Sequence, residues 1–467
     1  MHRIKKTAKN IGVLFAGDIF NRLIGFFTVA YLARILGASD FGLISIGLAF
    51  LSYALTISSN GLPILGVRKV VKSENDNELI GDFFTARFIF SILVVCIVII
   101  ICCFIKSSIL RSIILSYSFS LFPIVFLLDW YFQAKEKMGL IVLGKALGMI
   151  CYLIFILIFV RKTNHIINIP YGWFISGLVT SIFLIIIYIS SGNAIKIRFS
   201  FYRIKSLFLE AFPLGLAGVI AQITLYLPPI FIGFVISPKE AGYYSAAARI
   251  IFLFLILDRV FSFSFFPAIS KCVTKTPERL NDIFDQTLKW IVIIVIFFGY
   301  LGILLGKHLI LFVFGEGYLS SVLIFQMIMS YFMITLINSV YTFTLIALKQ
   351  EKTYTVSLFI GSIVFFISSW FLVKNFGTAG MGIGLGIYQS VVLLIMNNKL
   401  RNFIEIKFWQ IVVFPLIISI VIFLPLIFSI HLNIIIKIFL ILICMIPISL
   451  LIGIKREELN FLKNKIV

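Results

Sequence analysis

Apolar runs of about 20 residues recur along the whole chain, separated by short polar turns, and each is long enough to cross roughly 30 Å of hydrocarbon as a helix. The pattern predicts spans over 11–36, 41–66, 81–105, 111–133, 139–160 and 169–190. A basic connector containing Lys196, Arg198, Arg203 and Lys205 follows, and then six more spans over 207–236, 239–269, 284–306, 318–347, 353–374 and 379–397. A last pair over 409–429 and 433–454 precedes a polar tail carrying Lys455, Arg456, Lys463 and Lys465. The expected fold is therefore all-α, a polytopic membrane protein of about fourteen helices. It divides into a first lobe (1–190), a connector (191–206), a second lobe (207–400) and two extra spans with a tail (401–467). The first run is too long for a signal peptide and carries Asp18 and Arg22, so it reads as a retained span.

The two lobes repeat one another. The turn after span one reads Leu36-Gly37-Ala38-Ser39-Asp40-Phe41-Gly42, and that after span seven reads Ile236-Ser237-Pro238-Lys239-Glu240-Ala241-Gly242. The acid and the glycine recur 200 residues apart, and Ser45 and Ser245 follow in step. Gln133-Ala134-Lys135-Glu136-Lys137, between spans four and five, has its counterpart in Leu348-Lys349-Gln350-Glu351-Lys352, between ten and eleven. Six spans separate the copies, so the repeat is parallel, with a pseudo-twofold axis along the membrane normal.

Composition sharpens this picture. Of 467 residues, 61% are apolar and 13% charged, and the mean hydropathy is +1.13. An ordinary soluble chain, a disordered one and a disulfide scaffold are all excluded. The formal charge of +21 would suggest nucleic acid in a soluble protein, but here the cations sit in short alternate loops. About 25 Lys and Arg fall on the side of the termini and roughly seven on the other, so both termini are expected in the cytoplasm. The six cysteines lie mostly inside apolar runs. His2, His165, His308 and His431 have no second ligand at helical spacing, so no metal or other cofactor is expected.

Charges inside the spans are few, and each costs about 2.5 to 3.5 kcal/mol to insert, so they should face a cavity or a partner. At 1.5 Å per residue, Asp18 lies about 12 Å and Arg22 about 18 Å from the inner end of span one, on one helix face. Arg249 in span eight is about 15 Å from the outer end, so that Arg22 and Arg249 are candidates to meet near the midplane. A shallower group, Arg87, Asp129, Lys145, Asp258 and Arg259, suggests a polar vestibule on the cytoplasmic side. Asp18 and Asp258 are candidates for coupling to an ion. The competing account is that Asp18 and Arg22 neutralise one another as a helix lock while the shallower charges snorkel to the headgroups. Pro228 and Pro229, in the outer half of span seven, predict a kink or hinge.

Four stretches resemble the polysaccharide-exporter branch of the multidrug/oligosaccharidyl-lipid/polysaccharide flippase superfamily, especially Wzx-type O-antigen flippases. They are Leu32-Ala33-Arg34-Ile35-Leu36-Gly37 through Phe41-Gly42; Asp129-Trp130-Tyr131-Phe132-Gln133 with Glu136-Lys137-Met138; Phe314-Gly315-Glu316-Gly317-Tyr318; and Asn375-Phe376-Gly377-Thr378-Ala379-Gly380. The resemblance implies a bacterial inner-membrane transporter. Its cargo would be an undecaprenyl-pyrophosphate-linked oligosaccharide, moved from the cytoplasmic to the outer leaflet by alternating access. Cavity cations, here Arg22, Arg249, Arg87 and Lys145 with Asp18 beside them, would hold the pyrophosphate. Its partners would be membrane lipid, the lipid-linked glycan, a polysaccharide polymerase and a chain-length regulator, with no nucleic acid.

Three rival classes stay open. A membrane enzyme of polysaccharide assembly, a polymerase or an acyltransferase, needs extramembrane surface or a catalytic group. The outer loops are at most about twelve residues and hold no histidine, cysteine or paired-carboxylate constellation, so the expectation is no enzyme. A drug exporter of the same superfamily would show an ion requirement for small cationic substrates. A non-transporting scaffold leaves the midplane charges unexplained. No GxxxxGK[ST] loop occurs, so energy must come from gradients or metabolic pull.

Overall fold

The computed structural model describes residues 2–72, 76–197, 199–428 and 433–451. Arg198, His431 and the tail cations Lys455, Arg456, Lys463 and Lys465 lie outside the described residues. Among those described, every regular element is a helix. Ten helices are long and apolar enough to cross a membrane, and a bent pair, Phe201–Ile220 with Ile223–Val235, makes an eleventh. The first of the ten is two legs joined at Gly37, whose φ of 70° and ψ of 173° interrupt the helix. Two shorter apolar helices, Trp409–Phe423 and Ile435–Ser449, lie near the end. Counted with both legs of the first helix, these make the fourteen apolar segments expected from the sequence. Their outer faces are thick with exposed Leu, Ile and Phe, as at Phe27, Ile100 and Phe371, which is the surface of a multi-pass membrane protein.

The chain packs as two compact units, Met1–Ser245 and Ala246–Val467. The first holds α1 (His2–Ser59), α2 (Leu62–Lys72), α3 (Asp76–Cys103), α4 (Ser108–Ser118), α5 (Leu121–Val125), α6 (Asp129–Ala134), α7 (Met138–Phe159), α8 (Asn168–Ser190), α9 (Phe201–Ala221), α10 (Ile223–Val235) and the start of α11 (Pro238–Phe254). The pattern expected one span over 41–66, but the helix stops at Ser59. Asn60 and Gly61, with φ of 44° and 72°, turn the chain into α2, a separate amphipathic helix. Aromatic packing builds the core here: Phe83 stacks on Trp130 at 4.8 Å, Tyr131 meets Tyr188 edge-on at 5.0 Å, and the Tyr188 hydroxyl donates to Asn77 Oδ1 at 2.7 Å.

The fourth span, expected as one helix, is broken into α4, α5 and α6. Ser107 caps its start, accepting from the Leu110 amide. Each break frees backbone carbonyls inside an apolar layer, where an unpaired group costs several kcal/mol by the usual estimate, about 2 to 7. Side chains from neighbouring helices satisfy them. Ser181 Oγ donates to the Pro123 carbonyl at 2.7 Å, and Arg87 Nη1 donates to the Leu127 carbonyl at 3.1 Å.

The second unit continues α11 and adds α12 (Ile256–Lys275), α13 (Leu280–Phe314), α14 (Ser321–Ala347), α15 (Glu351–Phe376), α16 (Thr378–Leu400), α17 (Phe414–Phe428) and α18 (Ile434–Leu451). Small residues on α16 admit its neighbours closely, as where Gly382 lies against the α14 backbone at Met327–Ile328. The last two helices pack on α13: the Tyr300 ring lies 4.6 Å from Phe423, and its hydroxyl is 3.2 Å from Ser419 Oγ.

Candidate functional site

In the first leg of α1, Gly17 and Gly25 face α7, where a Cβ would meet Val142 at 2.3 Å and Met149 at 3.3 Å. Asp18 is turned about 100° from Gly17, and Arg22 shares its face one turn on. The two form an ion pair, Arg22 Nε to Asp18 Oδ2 at 2.9 Å, both about one-third exposed. That contact uses only one edge of the guanidinium. Among the described residues, the two Nη groups of Arg22 have no further partner. Such a half-held fork is oriented and still has donors for an oxyanion.

Arg87, Asp129 and Lys145 are brought together by the break in the fourth span. Arg87 is 5% exposed, donates to the Leu127 carbonyl, and lies within electrostatic reach of Asp129. Asp129 Oδ1 accepts from the Trp130 amide at 2.9 Å, and Oδ2 pairs with Lys145 Nζ at 3.3 Å. Arg87 thus has a backbone partner at the break, while Lys145 stays exposed at its rim.

The two repeated turns meet within the first unit. A Cβ on Gly42 would fall 1.7 Å from the Pro238 carbonyl oxygen, and one on Gly242 would fall 1.9 Å from the Ala38 carbonyl oxygen. The contact is reciprocal with the 200-residue offset of the sequence, so the start of the second leg of α1 and the start of α11 touch backbone to backbone. Only glycine permits that approach. In span seven, the limbs α9 and α10 are bent by 60°. The bend lies nearly two turns before Pro228 and Pro229, which sit buried inside α10, and so falls just upstream of the carbonyls that the two rings leave without an amide donor. The Gln222 side chain at the bend donates to Thr56 Oγ1, and Asn60 Nδ2 donates to the Phe208 carbonyl at 3.3 Å.

In the second unit, Arg249 is half-buried on α11, and among the described residues of that unit it has no ion-pair partner. Asp258, in the first turn of α12, accepts from the Ser339 hydroxyl of α14. Next to Ser339, Asn338 Nδ2 donates to Gln389 Oε1 at 2.6 Å and to the Gln389 carbonyl at 3.0 Å, and Gln389 Nε2 donates to Thr335 Oγ1 at 2.8 Å. Asp258 from α12 and Gln389 from α16 thus engage neighbouring residues of α14, linking the three helices. A reading confined to charges passes over Asn338 and Gln389, but a search for amides inside apolar spans would have found both.

The family model described as polysaccharide biosynthesis protein matches residues 7–273. No curated protein matches the chain by sequence. Among solved structures, the chain is similar to the lipid II flippase MurJ in an inward closed conformation, with a TM-score of 0.73 and 18% identity over 94% of this chain and 98% of that one. It is also similar to an inward-facing multidrug resistance MATE family transporter of the MOP superfamily, with a TM-score of 0.63 and 13% identity over 82% of this chain and 94% of that one. An outward-facing MATE transporter matches with a TM-score of 0.55 and 13% identity over 85% of this chain and 96% of that one. At these identities the likeness concerns the fold.

Proposed function

Since the chain belongs to the polysaccharide biosynthesis protein family and has the fold of MOP-superfamily transporters, we propose that it is a flippase for a lipid-linked oligosaccharide. The cargo in this reading is an undecaprenyl-pyrophosphate-linked repeat unit of O-antigen, capsule or a related polysaccharide. It crosses a bacterial inner membrane from the cytoplasmic to the outer leaflet by alternating access, and both termini of the protein are cytoplasmic. The observation that carries the reading is Arg22, a guanidinium held on one edge by Asp18 inside an apolar helix, with its other donors free among the described residues. Pyrophosphate is the group of such a cargo that calls for a fork of this kind. Arg249, half-buried and without an ion-pair partner in its own unit, is the second phosphate contact.

Energy comes from the potential in this reading, since two negative charges leaving a cell negative inside gain roughly 4.6 kcal/mol per 100 mV. Asp258, tied to Ser339 beside the Asn338–Gln389 pair, is the residue through which an ion would couple. The test is glycan export in cells lacking the native gene. Arg22→Ala or Arg249→Ala should abolish export with the protein still inserted, and Arg→Lys should keep part of it. Asp18→Ala with Arg22→Ala should export no better than Arg22→Ala alone. Full export with both arginines replaced, or rescue by the Asp18 change, would leave the helix-lock account standing.

A further inference from the structure

Three cations of α2 line a groove that the transport reading does not use. The groove has a volume of about 730 Å³ and is lined by Leu65, Arg68, Lys69, Lys72, Leu79, Glu210, Pro213 and Leu214, so that α2, α3 and α9 each contribute to it within the first unit. The element that carries the cations is a surface helix. It follows directly on the end of an apolar span at Ser59, buries Leu62, Leu65, Gly66 and Val70, and exposes Ile64 and Val71 at 52% and 70%. Arg68 and Lys72 are exposed and four residues apart, hence on one face, next to the Ile64 and Val71 stripe. An exposed aliphatic stripe bordered by basic residues suits a helix lying in the plane of the headgroups.

The charges in the groove do not cancel. Lys69 Nζ lies 2.7 Å from Glu210 Oε2, which neutralises that pair. Arg68 and Lys72 have no carboxylate partner among the described residues. Among the described residues, two cations without a carboxylate partner therefore stand over a wall of leucine and proline. A soluble anion would satisfy the cations and leave the wall wet. An anion attached to hydrocarbon satisfies both.

We propose that this groove binds the phosphate head of an acidic membrane phospholipid. Arg68 and Lys72 hold the phosphate, and Leu65, Leu79, Pro213 and Leu214 pack against the start of the acyl chains. The lipid bridges α2 to α9, the first limb of the bent span, and so braces the bend against the membrane surface. The inference is independent of what is transported, because it requires only that α2 lie at the membrane boundary.

The test is lipid retention by the full-length protein in neutral detergent, titrated with phosphatidylglycerol and read by native mass spectrometry. Phosphatidylglycerol should bind in preference to phosphatidylcholine. Arg68→Gln with Lys72→Gln should weaken binding about thirtyfold, at the usual worth of a basic residue near an anionic surface. Arg68→Lys with Lys72→Arg should preserve it, as should Lys271→Gln with Lys275→Gln elsewhere on the molecule. Glu210→Gln frees Lys69 and should tighten binding, a gain that survives even if the double glutamine variant fails to fold. Inorganic pyrophosphate alone should compete poorly. Equal retention by the glutamine variant, equal binding of phosphatidylcholine, no gain from Glu210→Gln, or full competition by pyrophosphate would each overturn the proposal.

Discussion

Arg22 and Arg87 are both arginines inside apolar helices, yet their surroundings assign them different work. Arg87 is buried, and its guanidinium donates to the Leu127 carbonyl freed by the break in the fourth span. Arg87→Leu should therefore lower thermal stability in detergent by about 1 to 3 kcal/mol, the cost of an unsatisfied buried carbonyl, before any effect on transport is considered. Arg22 is partly exposed and only half engaged, so Arg22→Ala should leave the melting temperature nearly unchanged while export fails. A variant that melts early at Arg22 would move it into the same class as Arg87. Gln389 is a third case: it accepts from Asn338 and donates to Thr335. Gln389→Leu removes both side-chain bonds, leaving Asn338 Nδ2 only the backbone carbonyl of residue 389 and Thr335 Oγ1 only its bond to the Tyr331 carbonyl, and should cost about 1 to 3 kcal/mol in the same melt.

Between elements, the sharpest constraint is the reciprocal glycine contact. A side chain on Gly42 collides with backbone that cannot swing aside, whereas one on Gly25 meets the flexible end of Met149. Gly42→Leu should thus abolish export with insertion intact, and Gly25→Ala should be tolerated; normal export by Gly42→Leu would show that the two turns need not stay in contact. The bend in span seven offers a second check. Replacing Pro228 and Pro229 with alanine restores two amide donors nearly two turns beyond the bend. Spin labels at the exposed positions Leu209 and Phe234 should then move apart as the 60° bend straightens. An unchanged distance would place the cause of the bend in the contacts of Gln222 and Asn60 instead.

For the whole molecule, the alternation of basic and neutral connectors predicts the direction of insertion. Reporter domains fused after Gly317, in the turn between α13 and α14, and after Arg401, beyond α16, should report opposite sides of the membrane. The same side for both would break the topology. The family match over residues 7–273 and the likeness to flippase and multidrug transporter structures agree with an all-α architecture read from apolar runs alone.

The number and order of the apolar segments were legible in the sequence because crossing hydrocarbon demands about 20 apolar residues whatever the neighbours do. So was the Asp18–Arg22 pair, since residues four apart on a helix meet by local geometry. The repeat of Asp40-Phe41-Gly42 in Glu240-Ala241-Gly242 could be read too, but not that the copies touch, because contact depends on how distant helices pack. Tertiary structure alone decided that the fourth span breaks and that Arg87 caps the freed carbonyl, for no local signal pairs positions 87 and 127. It also decided that Asn338 finds Gln389, two neutral amides that insert at lower cost than charges and so stand out little in a hydropathy pattern. What is set by transfer into lipid is written along the chain; what is set by satisfying one helix from another exists only once the helices have met.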